Sequence, residues 1–109
     1  ASDVYKRQTM PTRDVQMIAT LQDSDGNPLP NKTIEFYYKE SRATEWTLLG
    51  TATTDTNGQA TYTATLTVPG DYDFRAVFPG DPDYESAEAT LTNQHIKAKT
   101  VLTLTIQPM

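Results

Sequence analysis

The chain has 109 residues, 9 Lys and Arg against 14 Asp and Glu, a formal net charge of -5 and no cysteine. This length supports one small domain with its own core. The missing cysteines exclude a disulfide scaffold and a thiolate metal site, and the sequence has no apolar run of about 18 residues that would span a membrane. No basic block is present to follow a phosphate backbone, which argues against nucleic acid as a partner. No Ser, Cys or His stands beside a base and an orienting acid, so the sequence does not predict an enzyme.

Short segments in which apolar and polar residues alternate follow one another along the chain. In order they cover about 15–22, 33–39, 46–54, 59–67, 72–78, 87–91 and 101–106, and clusters of Gly, Pro, Asn and Asp separate them. The chain also contains 19 threonines, whose branched Cβ favours strands. This pattern predicts an all-β, antiparallel sandwich of about seven strands. Asn57-Gly58 is the strongest hairpin signal, because both residues tolerate the positive φ of a tight turn.

Four aromatic residues are predicted to have structural roles. Phe36, Tyr62 and Phe74 lie on the apolar side of their alternating segments, so we expect them inside the sandwich. Tyr72 follows Gly70-Asp71 at the start of a strand. Sandwiches often bury a tyrosine ring there while its hydroxyl bonds to the backbone at the sheet corner.

Four motifs follow one another along the chain, namely Gly26–Pro30, Lys32–Phe36, Leu49–Gly58 and Gly70–Tyr72. Taken as an ordered set, they resemble the bacterial immunoglobulin-like (Big-type) domains that repeat in tandem in bacterial and archaeal surface proteins. The resemblance implies an immunoglobulin-like Greek-key sandwich with strands B, C, C′ or D, E, F and G. It also implies an extracellular or cell-surface location and a role as a spacer, stalk or adhesive unit without a shared catalytic site.

The two ends of the chain depart from that family pattern. Residues 1–8 resemble the translated end of a transposon adapter used in sequencing libraries, which would make the sequence a metagenomic fragment with a non-native tail. We expect the domain itself at 9–97. Residues 98–109 resemble the first strand of a following repeat, and we expect Val101–Ile106 to fill the empty strand A position, in its own chain or in a strand-swapped dimer. The alternative is that this segment prolongs the preceding strand or frays.

Oxygen-bearing side chains suggest a weak calcium site. Asp23, Asp25 and Asn27 alternate as ligands do in the first half of a calcium loop, although the same residues also suit a plain turn. A second acidic cluster could form at one end of the sandwich, made of Asp55, Asp71, Asp81 and Asp83. The sequence predicts no other cofactor.

Two further groups of residues have a functional and a structural interpretation. Trp46 and Tyr37 are candidate sugar-stacking residues, unless they simply fill the core or its rim. Lys32, Glu35 and Asn93 have the residue types of a self-formed Lys–Asn amide crosslink, which requires a buried, neutral amine. Glu35 alternates with Ile34 and Phe36 and so falls on the solvent-facing side of its segment, whereas the crosslink needs a buried acid.

The sequence therefore predicts a non-catalytic structural, spacer or adhesive module of a multi-repeat exported protein. The expected partners are neighbouring repeats of the same chain and either a surface polysaccharide or a host protein. The alternative function is that of a carbohydrate-binding accessory module of a secreted enzyme.

Overall fold

The computed structural model describes residues 13–108, and its regular elements are all strands. In chain order they are β1 (Arg13–Leu21), β2 (Thr33–Glu40), β3 (Thr47–Thr53), β4 (Gln59–Leu66), β5 (Gly70–Phe78), β6 (Ala87–Ile96) and β7 (Thr100–Ile106). This part of the chain contains no helix long and apolar enough to cross a membrane. The predicted adapter-derived residues 1–8 lie outside the described residues.

The strands form two sheets, as the alternating pattern predicts. One sheet has three strands in the order β4-β1-β7, and the other has four in the order β3-β2-β5-β6. The strand that follows Trp46, β3, pairs with β2 and so belongs to the four-stranded sheet. The all-β sandwich is confirmed.

One strand pair differs from the predicted antiparallel arrangement. β7 runs parallel to β1, in a register that begins at Val15–Thr100 and ends at Leu21–Ile106. The direction follows from the path of the chain, because β6 ends beside Gly70, at the end of the sandwich where β1 begins. Residues 97–99 then cross to the three-stranded sheet at that same end.

The Asn57-Gly58 turn does not close a hairpin, so that prediction is wrong. β3 pairs only with β2 and β4 only with β1 among the described strands, and the turn therefore carries the chain from one sheet to the other. Only Gly58 of this pair has a positive φ, of 74°. Buried Thr54 holds the crossing in place, since its hydroxyl donates to the carbonyl of Leu29 at 2.7 Å and accepts from the N–H of Lys32 at 2.9 Å.

The core lies between the sheets and contains the aromatic residues that the alternation places there. Phe36 and Phe74 are fully buried. Tyr62 is half-buried and stacks on Phe36 with ring centroids 5.7 Å apart, while its hydroxyl donates to the Leu49 carbonyl at 2.8 Å. A Cβ at Gly50 would stand 2.5 Å from the Tyr62 ring, so glycine is required for this stack.

β6 is longer than the sequence predicts. The alternating pattern predicts this strand over about 87–91, but β6 continues to Ile96 through a register shift between Tyr72 and Phe74 of its partner strand. Asn93 adopts a φ of 55° there. An asparagine tolerates this left-handed conformation, and the strand resumes after the irregularity instead of ending.

Candidate functional site

The outer face of the four-stranded sheet carries a cluster of aromatic and charged side chains centred on Trp46. Residues 41–46 connect β2 to β3 and bring Trp46 over this face. The centroid of its ring lies 5.3 Å from Nζ of Lys39 and 4.2 Å from Cζ of Arg75. Both separations are within the range in which a cation is attracted to the face of an indole.

The indole of Trp46 lies against two cations of the sheet and is only half-buried. In the β2–β5 register, Lys39 stands opposite Asp73 and Arg75 opposite Tyr37, so both cations rise from the same sheet face. Trp46 is only half-buried, so part of its side chain remains accessible to a ligand.

Asp73 is the most buried charged residue of this cluster, with 7% of its surface exposed. Its carboxylate accepts three hydrogen bonds, from the N–H of Asn93 (2.9 Å), the hydroxyl of Ser41 (2.7 Å) and Nζ of Lys39 (2.9 Å). The hydrogen bond from Asn93 is the main cause that lowers the pKa of Asp73 to about 2, and those from Lys39 and Ser41 add to it. The irregularity in β6 thus supplies the backbone donor that keeps this carboxylate charged.

Arg75 is held in position by β6. Its Nε lies 3.1 Å from a carboxylate oxygen of Glu88 and 3.3 Å from the hydroxyl of Thr90. These contacts orient the guanidinium group beneath Trp46. The cation under the indole is therefore fixed by a neighbouring strand.

Tyr37 belongs to the same outer face and shares the neighbour Arg75 with Trp46. It is half-buried, and its hydroxyl donates to a carboxylate oxygen of Glu35 at 3.0 Å. That hydrogen bond is the main cause that raises the pKa of Tyr37. Leu48, which is 52% exposed, stands opposite Tyr37 on β3. The structure therefore brings both predicted sugar-stacking residues to one face.

The loop proposed for calcium is internally hydrogen-bonded. Oδ1 of Asp23 accepts the N–H groups of Asp25 (2.9 Å) and Asn27 (2.8 Å), and Oδ2 accepts the side-chain amide of Asn27 (3.2 Å). The backbone hydrogen bond from Asn27 is the main cause that lowers the pKa of Asp23. These bonds are those of an Asx turn. Between residues 13 and 108, no three His, Asp or Glu side chains are grouped so that they could hold a metal ion, and the calcium site stays a prediction.

The second acidic cluster does not assemble. Asp81 follows the end of β5, whereas Asp71 lies at its beginning, where its carboxylate is 2.7 Å from Nδ1 of His95. The full length of β5 separates the two, so the expectation that they share one end of the sandwich is wrong. Asp81 instead accepts the N–H groups of Asp83 and Tyr84 at 2.9 Å, as a turn residue does.

Lys32 does not meet the requirements of the amide crosslink. Its ammonium group pairs with Asp81, and this hydrogen bond is the main cause that raises the pKa of Lys32. A raised pKa keeps the amine protonated, whereas amide formation needs the neutral form. Asn93 lies at the other end of the sheet, beside Asp73. The Lys32–Asn93 pairing considered from the sequence is therefore wrong.

A cleft of about 450 Å³ at the end of the sandwich where β2 stops was not foreseen from the sequence. It is lined by residues 40–42 and 68–72 and by Asn93 and His95 of β6. Tyr72 forms part of its wall. That residue is 5% exposed and its hydroxyl donates to the carbonyl of Val68 at 2.7 Å. This is the geometry expected of a tyrosine at a sheet corner.

Comparison with known proteins identifies the family. A family model described as "Bacterial Ig-like domain (group 3)" matches residues 5–97. The chain belongs to this family. The immunoglobulin-like sandwich expected from the sequence motifs is thus confirmed for this bacterial Ig-like domain, and β7 lies beyond the matched residues.

Solved structures that resemble this bacterial Ig-like domain include enzymes and adhesins at low identity. A 3-chlorocatechol 1,2-dioxygenase from Rhodococcus opacus 1CP superposes with a TM-score of 0.58 and 12% identity, over 94% of this chain and 63% of that one. A chlorocatechol 1,2-dioxygenase from Pseudomonas putida gives 0.54 and 10%, over 93% and 63%. The C-terminal fragment of the pilus adhesin SpaC from Lactobacillus rhamnosus GG gives 0.41 and 15%, over 98% and 48%.

The two dioxygenase similarities show the fold alone, and the chain spans less than two thirds of the length of either dioxygenase. No curated protein matches the chain.

Proposed function

We propose that this bacterial Ig-like domain is a non-catalytic spacer or adhesive module of a multi-repeat protein exported to the cell surface. Its family membership is the observation that carries the proposal. The placement of the described strands supports it. β1 begins at Arg13 at one end of the sandwich and β7 finishes at Ile106 at the other, which suits modules joined end to end.

The surface chemistry also fits a module whose outer surface stays in contact with water when several copies are joined in one chain. A net charge of -5 favours solubility and opposes non-specific association of copies. The exposed residues of the three-stranded sheet are mainly threonines, and among the described residues only three large hydrophobic side chains are more than half exposed, namely Leu48, Val68 and Val101. Large apolar patches of the kind that drive aggregation are thus missing from residues 13–108.

Small-angle X-ray scattering on linked copies tests the spacer role. Proteins with one, two, three and four copies of the chain in tandem would be compared. For a rod of modules, the longest dimension increases by the same length with each copy. Growth with roughly the 0.4 power of chain length, as in one compact globule, would contradict the spacer proposal.

The Trp46 face supports a second candidate function, carbohydrate binding. The half-buried Trp46 beside Arg75 on the outer face is the specific observation in its favour, because aromatic rings of this kind can stack on the apolar face of a sugar. Tyr37 extends the same surface. The ligand class we propose for it is a surface polysaccharide.

Affinity electrophoresis on a panel of soluble polysaccharides tests this second function. We expect at least one polysaccharide to retard the intact chain and to have no effect on the Trp46→Ala variant. Val101→Ala is the matched control, since it also removes an exposed apolar side chain but from the other sheet. Equal retardation of all three proteins, or of none, would contradict carbohydrate binding at Trp46.

A further inference from the structure

The edge of β1 is occupied by a strand from outside the matched domain. The family match ends at residue 97, and β7 begins at Thr100. Even so, β7 pairs with β1 over seven consecutive positions and completes the three-stranded sheet. The domain proper therefore presents a sheet edge that a separate segment fills.

β7 is held at the edge of β1 through alternate apolar side chains of β7. Leu102, Leu104 and Ile106 have 6%, 3% and 0% of their surface exposed, and Pro108 is also buried. The residues between them, Val101, Thr103 and Thr105, are exposed. Side chains of period two, together with the backbone hydrogen bonds, are how an extended peptide is bound at a sheet edge.

The tether between β6 and β7 is short and makes little contact with the rest of the molecule. Lys97, Ala98 and Lys99 are all exposed, and two of the three carry the same charge. Release of β7 breaks its pairing with β1 and exposes its apolar side chains, but every contact that β7 makes beyond the connection can be remade with a second copy. Short hinges next to an edge strand are the usual site of such an exchange.

We propose that the edge of β1 that pairs with β7 is a strand-acceptor site, and that β7 of a second copy of this chain occupies it in the same parallel register. Two chains that exchange β7 reciprocally form a dimer in which each sandwich is complete. This inference is independent of the spacer and carbohydrate proposals, because it depends only on the fit of β7 to β1.

Site-specific crosslinking of two single-cysteine variants tests the exchange. Ile18 and Thr103 are register partners, and the chain has no native cysteine. Full-length Ile18→Cys and Thr103→Cys chains are mixed at high concentration, taken through mild denaturant and back, and treated with a short bismaleimide. Because each chain has one cysteine, a crosslink between positions 18 and 103 can form only if β7 lies on another molecule.

The matched control replaces Thr103→Cys by Thr51→Cys, an exposed threonine of the other sheet. We expect a severalfold higher yield of linked heterodimer, identified by mass spectrometry, with Thr103→Cys than with Thr51→Cys. Equal yields would overturn the proposal. A dilute Ile18→Cys/Thr103→Cys double variant should crosslink within one chain, and its failure to do so would show that the acceptor register is wrong.

A peptide-binding measurement provides a second readout that needs no variant of the protein. A fluorescent peptide of residues 99–108 should bind the full chain after the same denaturant step, by replacing β7. A peptide that carries Leu102→Asp and Leu104→Asp is the control, and we expect its binding to be lost. Equal binding of the two peptides, or binding of neither, would contradict a strand-acceptor site.

Discussion

The outer face of the three-stranded sheet is coated with threonine, whereas the outer face of the four-stranded sheet carries charged and aromatic side chains. The first presents Thr61, Thr63, Thr65, Thr103 and Thr105 to solvent. The second presents Trp46 over Lys39 and Arg75, with Asp73 beneath. Both sheets follow the same alternation of side chains, so the difference lies only in the chemistry of the outward positions. It teaches that a sandwich can coat one surface mainly with threonine and concentrate its charged and aromatic side chains on the other.

Among substitutions on the two faces, Asp73→Asn should cause the largest loss of stability. The substitution leaves the Lys39 ammonium group without its buried partner and weakens the hydrogen bonds from Asn93 and Ser41. We expect the free energy of unfolding to fall by about 3 kcal/mol, measured by chemical denaturation. A loss no larger than that of an exposed threonine substitution would contradict the structural role of the network.

The same carboxylate should make the stability of the wild-type chain depend on pH. The pKa of Asp73 falls from 3.8 to about 2 on folding, so its stabilisation is complete above the unfolded value and is lost as the pH drops through the folded value. This amounts to about 2 kcal/mol between pH 5 and pH 2. Denaturation at several pH values measures it. Asp73→Asn should reduce the acid sensitivity by that amount, and an unchanged profile would show that other carboxylates are responsible.

Removal of the Trp46 ring should have a smaller effect on stability. Trp46→Ala deletes the contacts with Lys39 and Arg75, and we expect a loss of about 1 kcal/mol. Thermal unfolding compares it with Trp46→Phe, which keeps a ring and should lose less. Equal losses in the two variants would indicate that the cations do not contribute through the aromatic face.

The threonine-coated face should tolerate substitution best. Thr63 is exposed on the edge strand β4, and no side-chain hydrogen bond is found for it in the described residues. Thr63→Ala should therefore change the free energy of unfolding by less than about 0.5 kcal/mol in chemical denaturation. A larger loss would mean that the two faces do not differ as described.

Much of the fold could be predicted from the sequence because side-chain alternation reports directly on a two-layer sandwich. Ile34, Phe36, Leu102, Leu104 and Ile106 are buried at the positions where the alternation puts them. The Asn57-Gly58 turn was misread because its residues report only local backbone conformation. Whether the next strand pairs with the previous one or with a distant strand depends on tertiary contacts such as those of Thr54.

The candidate site could be predicted only in part. Trp46 and Tyr37 stand out as large aromatic residues in polar surroundings, which is a signal visible in the sequence. The polar network beside Trp46 has no such signal, because Lys39, Asp73 and Asn93 come together through the pairing of three strands. Asn93 in particular resembles a turn residue, yet it lies within β6 and donates its N–H to Asp73.

The parallel pairing of β1 and β7 has a mechanical consequence. A pulling force applied between Arg13 and Ile106 acts along both strands in opposite directions, because these residues lie at opposite ends of the same strand pair. All the hydrogen bonds between the two strands then bear the load together in shear, instead of breaking one after another as in a peeled hairpin. The sheet would thus resist extension most strongly along the axis on which the chain would carry tension.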